Sequence, residues 1–136
     1  MRIDHVQVAA PPGCEEQARA FYGSVVGLRE VEKPAPLRAR GGVWFAVGDA
    51  QQLHVGVERD FAPARKAHPA FVVDDLDALA ARIGDVTWGN ELPAVRRFYA
   101  SDPFGNRLEF LASTVDTEPR DVRESVQCSG RTRRSS

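Results

Sequence analysis

Three histidines, His5, His54 and His68, are all that this chain has, and each lies in or at the start of a short apolar run of the kind that forms strands. A carboxylate has a similar setting: Glu109 is enclosed by Arg107, Leu108, Phe110 and Leu111. Imidazole nitrogens and a carboxylate oxygen hold zinc, nickel, cobalt, manganese or iron, so these four groups brought together make a divalent-metal site. An ionised carboxylate on a buried face also needs a cation beside it. A metal would supply that charge, and Arg107, two residues away and on the same strand face, is the rival. Singly, each histidine has a plainer reading: His5 bonded to Asp4, His54 satisfied in a core, His68 capping a strand before Pro69.

The four can meet only if the elements carrying them face one way. Residues 3–9 alternate as a half-buried strand does, and Pro11, Pro12 and Gly13 stop it. Ala18, Phe21, Tyr22 and Val25 then line one face of a helix, with Glu15 and Glu16 at its positive end and Gly27 beyond it. Strands are predicted at 28–32, 43–47 and 52–57, with Gly41-Gly42 and Gly48-Asp49 as turns. A polar connector at 58–67, with Pro63, Arg65 and Lys66, has no apolar period.

The order then recurs. A strand begins at His68 (HPAFVV), Asp74 and Asp75 are cap candidates, and Leu76, Leu79, Ala80 and Ile83 repeat the helical spacing. Strands follow at 86–88 and 95–101, then a turn at Asp102–Asn106 and a strand at 107–111. The reading is an α+β domain over residues 1–111, built from two βαβββ modules at about 1–57 and 68–111. They would form a curved mixed-sheet cup with the helices on its outer face. Strand alternation assigns the faces: His5, Gln7 and Ala9 oppose Val6 and Val8; His68, Ala70 and Val72 oppose Phe71 and Val73; Arg107, Glu109 and Leu111 oppose Leu108 and Phe110. The first and last strands of each module would thus each bring one metal ligand to the cup.

Composition narrows the function further. With 18 Lys plus Arg against 19 Asp plus Glu, the 136-residue chain has a formal charge of −1, which offers no general field for nucleic acid or an anionic membrane. Met1 to Gly13 lacks a signal-peptide pattern, no run is long enough to span a bilayer, and Cys14 and Cys128 form no CxxC pair; the expectation is a cytoplasmic protein with two plain thiols. Residues 112–136 are polar, so a disordered tail is expected, its Arg131, Arg133 and Arg134 solvated.

The repeated modules, the DHV start, the segment Phe21-Tyr22-Gly23 with Gly27-Leu28, HPAFVVDDLDAL and DPFGNRLEFL together resemble the vicinal oxygen chelate superfamily. That group includes glyoxalase I, methylmalonyl-CoA epimerase, fosfomycin-resistance thiol transferases, extradiol dioxygenases and metal-free bleomycin-resistance proteins. The resemblance covers residues 1 to 111 and implies His5, His54, His68 and Glu109 as metal ligands, with Glu109 also moving a proton. It departs at His54, where glyoxalase I has a carboxylate and the epimerases a glutamine. The resemblance implies a metal-dependent lyase, isomerase or epimerase acting on a small substrate held through neighbouring oxygens, working as a homodimer. An iron(II) dioxygenase using two His and one Glu is the alternative, and a metal-free drug-binding resistance protein is another. Thiol transfer to an epoxide has no sequence feature in its favour. Gln7, Trp44, Phe45, Arg97, Tyr99 and Arg107 are the candidate substrate contacts, with Arg38, Arg40, Arg65, Lys66 and Arg96 as further cations for an anionic substrate.

Overall fold

The computed structural model describes residues 1–113. The expected tail from residue 114 on, with Cys128 and the three terminal arginines, lies outside the described residues. Ala112, assigned to that tail by sequence, instead closes the last strand.

The first module runs β1 (His5–Ala10), α1 (Glu15–Ala18), β2 (Arg29–Val31), β3 (Val43–Val47) and β4 (Gln51–Val57). The second runs β5 (Ala70–Val73), α2 (Leu76–Ile83), β6 (Thr87–Trp88), β7 (Arg97–Ser101) and β8 (Arg107–Ala112). Each module makes one four-stranded sheet, ordered β1-β4-β3-β2 and β5-β8-β7-β6. In both, the first and last strands pair in parallel and the other pairs are antiparallel. The fold is α+β as expected. The two sheets stay separate within the chain and do not close on each other.

Three local features differ from the sequence reading. The α1 turn widens into a π-helical stretch over Arg19–Val25, in which the Val26 N–H donates to the Phe21 carbonyl at 2.8 Å. A 3-10 segment, Ala35–Arg40, occupies the Pro- and Arg-rich stretch where no element was predicted. The fifth strand begins at Ala70, so His68 stands in the connector before it. The predicted cap holds: the Asp75 side chain accepts the Ala78 N–H at 3.0 Å at the start of α2.

The helices cover one face of both sheets. Ala18 and Tyr22 from the first helical segment, and Leu76 and Leu79 from α2, join Val8, Phe45, Leu53, Val55, Phe98, Leu108 and Phe110 in one continuous core. Cys14 is part of it, and burial, reinforced by Glu15, pushes its thiol above the usual range, in keeping with a plain structural role. Gly42 is required where β3 enters: it takes φ +89°, and a Cβ there would lie 2.2 Å from the Val55 carbonyl oxygen. No helix among the described residues is long and apolar enough to cross a membrane.

A buried polar network joins the modules. Asp102 accepts the backbone N–H groups of Phe104 and Asn106, both at 2.9 Å, on one carboxylate oxygen. The other oxygen accepts the Tyr22 hydroxyl at 2.7 Å and the Asn106 amide at 2.9 Å. Asn106 also donates to the Ala9 carbonyl at 2.7 Å and accepts the Ala64 N–H at 2.9 Å. Burial first, then the neighbouring Asp102 charge, raises the Tyr22 phenol, which keeps it a donor. Tyr22→Phe deprives Asp102 of one donor and should cost about 1–3 kcal/mol. In urea unfolding the midpoint should fall with an unchanged slope; an unaltered midpoint would show that this bond does not help hold the modules together.

Candidate metal and substrate site

The open face of each sheet carries one cluster. On the first sheet, register sets Gln7 beside His54, His5 beside Gln52, and Trp44 beside His54. The His54 ring lies between Trp44, at 3.7 Å between centroids and 1° between planes, and His5, at 4.1 Å and 17°. Although it faces away from the core, His54 is only 5% exposed. Burial, then the like charge of His5, lowers its pKa and favours the neutral ring, the form that binds a metal.

On the second sheet Glu109 is flanked by Ala70 on β5 and Tyr99 on β7. The Glu109 N–H donates to the Pro69 carbonyl at 3.1 Å, which anchors the neighbouring His68 beside β8. His68 Nε2 stands 3.8 Å from Glu109 Oε2, and its ring meets Tyr99 edge-on at 5.7 Å. His68 and Glu109 thus form a pair, as His5 and His54 do.

Each imidazole has one nitrogen held by an acceptor. His68 Nδ1 lies 2.6 Å from the Lys66 carbonyl, and a carbonyl can only accept, so Nδ1 carries the proton and the neutral ring keeps its Nε2 lone pair, turned toward Glu109. His5 Nδ1 is 2.9 Å from the Asp4 carboxylate and His54 Nε2 is 2.8 Å from Gln52 Oε1, leaving His5 Nε2 and His54 Nδ1 as the bare nitrogens. Metal-binding histidines are commonly oriented by such a second hydrogen bond. The donor chemistry therefore fits a divalent ion, and 3.8 Å between His68 and Glu109 can be bridged by one ion with bonds of about 2 Å.

The pairs do not combine within one chain. Among the described residues no group of three or more His, Cys, Asp or Glu is close enough to hold an ion. The stacked rings of His5 and His54 also hold their in-plane lone pairs in nearly parallel planes, which do not converge on one point between them. To share an ion one of them must turn, and the exposed His5 has the room to do so.

Glu109, 7% exposed, already has a cation partner. That partner is Arg97, whose Nη1 donates to Oε1 at 3.0 Å, while its Nη2 donates to Glu91 at 2.9 Å. Arg107, the expected rival, instead lies over the Tyr99 ring at 4.0 Å. The buried carboxylate therefore does not by itself require a metal. Arg97 Nε is buried without a partner.

Of the other candidates, Gln7 and Trp44 belong to the His54 cluster, and Arg97, Tyr99 and Arg107 to the Glu109 cluster. Gln7, His68 and Arg107 line one cavity of about 460 Å³ at the junction of the halves. Phe45 is a correction: it is fully buried in the core against Tyr22 and touches neither cluster. Trp44 and Phe45 are consecutive on a strand, so only one of them can face the cup. Sequence reasoning misses Glu91 and the Asp102–Asn106 network; an Asp three positions before a turn glycine reads as turn chemistry alone.

The sequence matches no family model and no curated protein. Among solved structures it is similar to a glyoxalase family protein from Bacillus anthracis, at 51% identity over 83% of this chain and 95% of that one, with a TM-score of 0.79. The fold is also that of a lactoylglutathione lyase from Agrobacterium tumefaciens, at 21% identity over 84% and 95% of the two chains and a TM-score of 0.64. An antibiotic-binding protein from a Streptomyces species has it too, at 22% identity, 82% and 95% coverage and a TM-score of 0.64.

Two expected outcomes follow from the clusters. Arg97→Met strands a mostly buried carboxylate and should lower stability by about 1–3 kcal/mol, discounted for partial exposure, with much of that loss absent in a Glu109→Gln background. Additive losses in the double-mutant cycle would mean that the pair is not coupled. Because the folded-state pKa of His54 is lowered, its contribution is intact above the unfolded value, near 6.5, and is lost as pH falls through the lower folded value. His54→Asn should flatten the decline in stability below about pH 6.5; an equal slope in both proteins would assign that decline to other groups.

Proposed function

This chain belongs to the glyoxalase family of the vicinal oxygen chelate superfamily, and from that premise we propose that it is a divalent-metal-dependent enzyme of lyase, isomerase or epimerase type. Its substrate is a small molecule held through two neighbouring oxygens. The observation that carries this reading is the opposition of a bare His68 Nε2 and Glu109 Oε2 at 3.8 Å, matched on the other sheet by His5 and His54.

His5 and His68 would hold the ion through Nε2, His54 through Nδ1 and Glu109 through Oε2. A bound divalent ion supplies Lewis acidity toward the two substrate oxygens. Glu109 would use the same Oε2 as base, detaching from the ion to take a proton from the adjacent carbon and to return it. Arg97 keeps the other oxygen fixed, so the carboxylate moves its proton without losing its orientation. Trp44 and Tyr99 flank the substrate, one on each sheet.

The complete site is proposed to form in a homodimer, with His5 and His54 from one chain and His68 and Glu109 from the other. Support comes from the separation of the pairs within a chain and from the outer positions of β1 and β5 in their sheets. Both of those strands leave an apolar side chain uncovered, Val6 at 38% and Val72 at 68% exposure. A metal-free small-molecule-binding role is the second reading. The Arg97–Glu109 pair favours it, because the carboxylate is already neutralised, and the His5–His54–Trp44 stack offers a surface for a flat ligand.

Elemental analysis of purified protein should find a stoichiometric divalent metal that His68→Ala reduces. Glu109→Gln should keep metal and lose turnover. Protein without stoichiometric metal, but with tight binding of an aromatic antibiotic, would replace this reading with the second. Mixed His54→Ala and Glu109→Ala chains should regain activity through the one intact site of each mixed dimer; no recovery would place the whole site within a single chain.

A further inference from the structure

Past His54 on the open face of the first sheet lies a pocket of about 220 Å³ bounded by Gln7, Lys33, Leu37, Arg40, Trp44 and Gly56. We infer that this pocket is the subsite for the anionic end, a carboxylate or phosphate, of a small flat substrate. The inference rests on the reading of this face as the substrate side of the cup.

Charge is the first observation. On the surrounding wall Arg19 pairs with Glu30 and Arg38 with Glu32. Lys33 and Arg40 have no carboxylate partner among the described residues, and Lys33 donates to the Gly41 carbonyl, which leaves further N–H donors on its ammonium. No acidic side chain lines the pocket. Two cations and no anion facing one small concavity make a receptor for negative charge.

Shape is the second. Gly56 is two residues beyond His54 on the same strand face, a separation of about 7 Å, which is the span of one aromatic ring with its substituent. A Cβ at Gly56 would come within 2.6 Å of Gln7 Nε2, so the absence of a side chain lets the Gln7 amide lie against the backbone as the pocket floor. Trp44, stacked by one face on the His54 ring, contributes an aromatic side to the wall. A planar acid seated here would put its charge on Lys33 and Arg40, its ring along Trp44, and its other end at the histidines.

Local structure explains how the cations arrive. Pro34 and Pro36 start the 3-10 segment Ala35–Arg40, and Gly41 and Gly42, at φ +75° and +89°, turn the chain into β3. The basic run is thereby folded back over Trp44 instead of extending β2.

The test is an NMR titration of the full nitrogen-15-labelled chain with benzoate, phenyl phosphate and benzamide. At least one of the two anions should shift the Gly41 and Gly56 amides and the Trp44 indole N–H saturably, and whichever binds more tightly identifies the charged group. Neutral benzamide should bind about tenfold more weakly or worse, as the loss of a charge-assisted hydrogen bond implies. Arg40→Ala should weaken the anion by a similar factor, whereas Arg38→Ala, which removes a cation already paired with Glu32, should leave it unchanged. Benzamide matching the anions, an unaffected Arg40→Ala, equal losses in both arginine variants, or no saturable shift at these three groups would overturn the proposal. Metal content measured on the same samples keeps the two readings apart: anion binding without stoichiometric metal removes the metal reading alone, and metal without anion binding removes the subsite alone.

Discussion

A buried carboxylate with no arginine or lysine ion-paired to it among the described residues sets the geometry of both open faces. Asp102 is satisfied entirely by hydrogen-bond donors: two backbone N–H groups, the Tyr22 hydroxyl and the Asn106 amide. An ionised oxygen left without one of these would carry a desolvation cost comparable to a large share of a small domain's stability. The turn has little freedom as a result. Arg107 follows Asn106 directly, so the turn fixes the register of β8 and puts Arg107, Glu109 and Leu111 on the open face. A slip by one residue would exchange Glu109 with Phe110 and bury a charge in the apolar core. Through the Ala9 carbonyl the same asparagine fixes the end of β1, the strand that presents His5 and Gln7.

The proton positions on the three imidazoles come from equally local acceptors, and they act in one direction. Lys66, Asp4 and Gln52 each occupy one ring nitrogen and so leave the other bare. Arg97 acts against this arrangement by neutralising Glu109. Geometry limits that opposition: Arg97 occupies only one of the two carboxylate oxygens and leaves Oε2 turned toward His68. The pair is therefore compatible with the proposed ion on Oε2, and Arg97 orients the carboxylate.

Strand alternation made most of the open face legible in the sequence, because period-2 patterns translate directly into sides of a sheet. It placed His5 with Gln7 and Glu109 with Arg107, and it would have turned Phe45 inward had it been applied to the Trp44-Phe45 step. What stayed hidden depends on contacts between distant residues. The partner of Glu109 was sought two residues away on its own strand, where Arg107 does share its face; Tyr99 takes up Arg107, and Arg97 reaches across from the neighbouring strand. His68 was read as a strand residue because HPAFVV is continuously apolar, yet Pro69 offers no N–H to the ladder and pairing starts at Ala70. The 3-10 segment has no hydrophobic period at all. Its position is set by Pro34 before it, Pro36 in its first turn and two positive-φ glycines after it, which a pattern search registers only as a loop.

The repeated topology bears on how two half-sites become whole. Each sheet ends on the strand that opens its module, β1 in one and β5 in the other, and each of these is paired on one side only. An exposed strand edge is a ready template for pairing with another chain, which proteins either use or blunt. Under the two-fold symmetry usual for a homodimer, whatever β1 of one chain meets, β1 of the other meets identically. In the proposed dimer, pairing β1 with the partner's β5 would generate two equivalent junctions at once, each bringing a His5–His54 pair to a His68–Glu109 pair. The ligands, divided evenly between two similar modules, would then make two complete sites from a single symmetric contact.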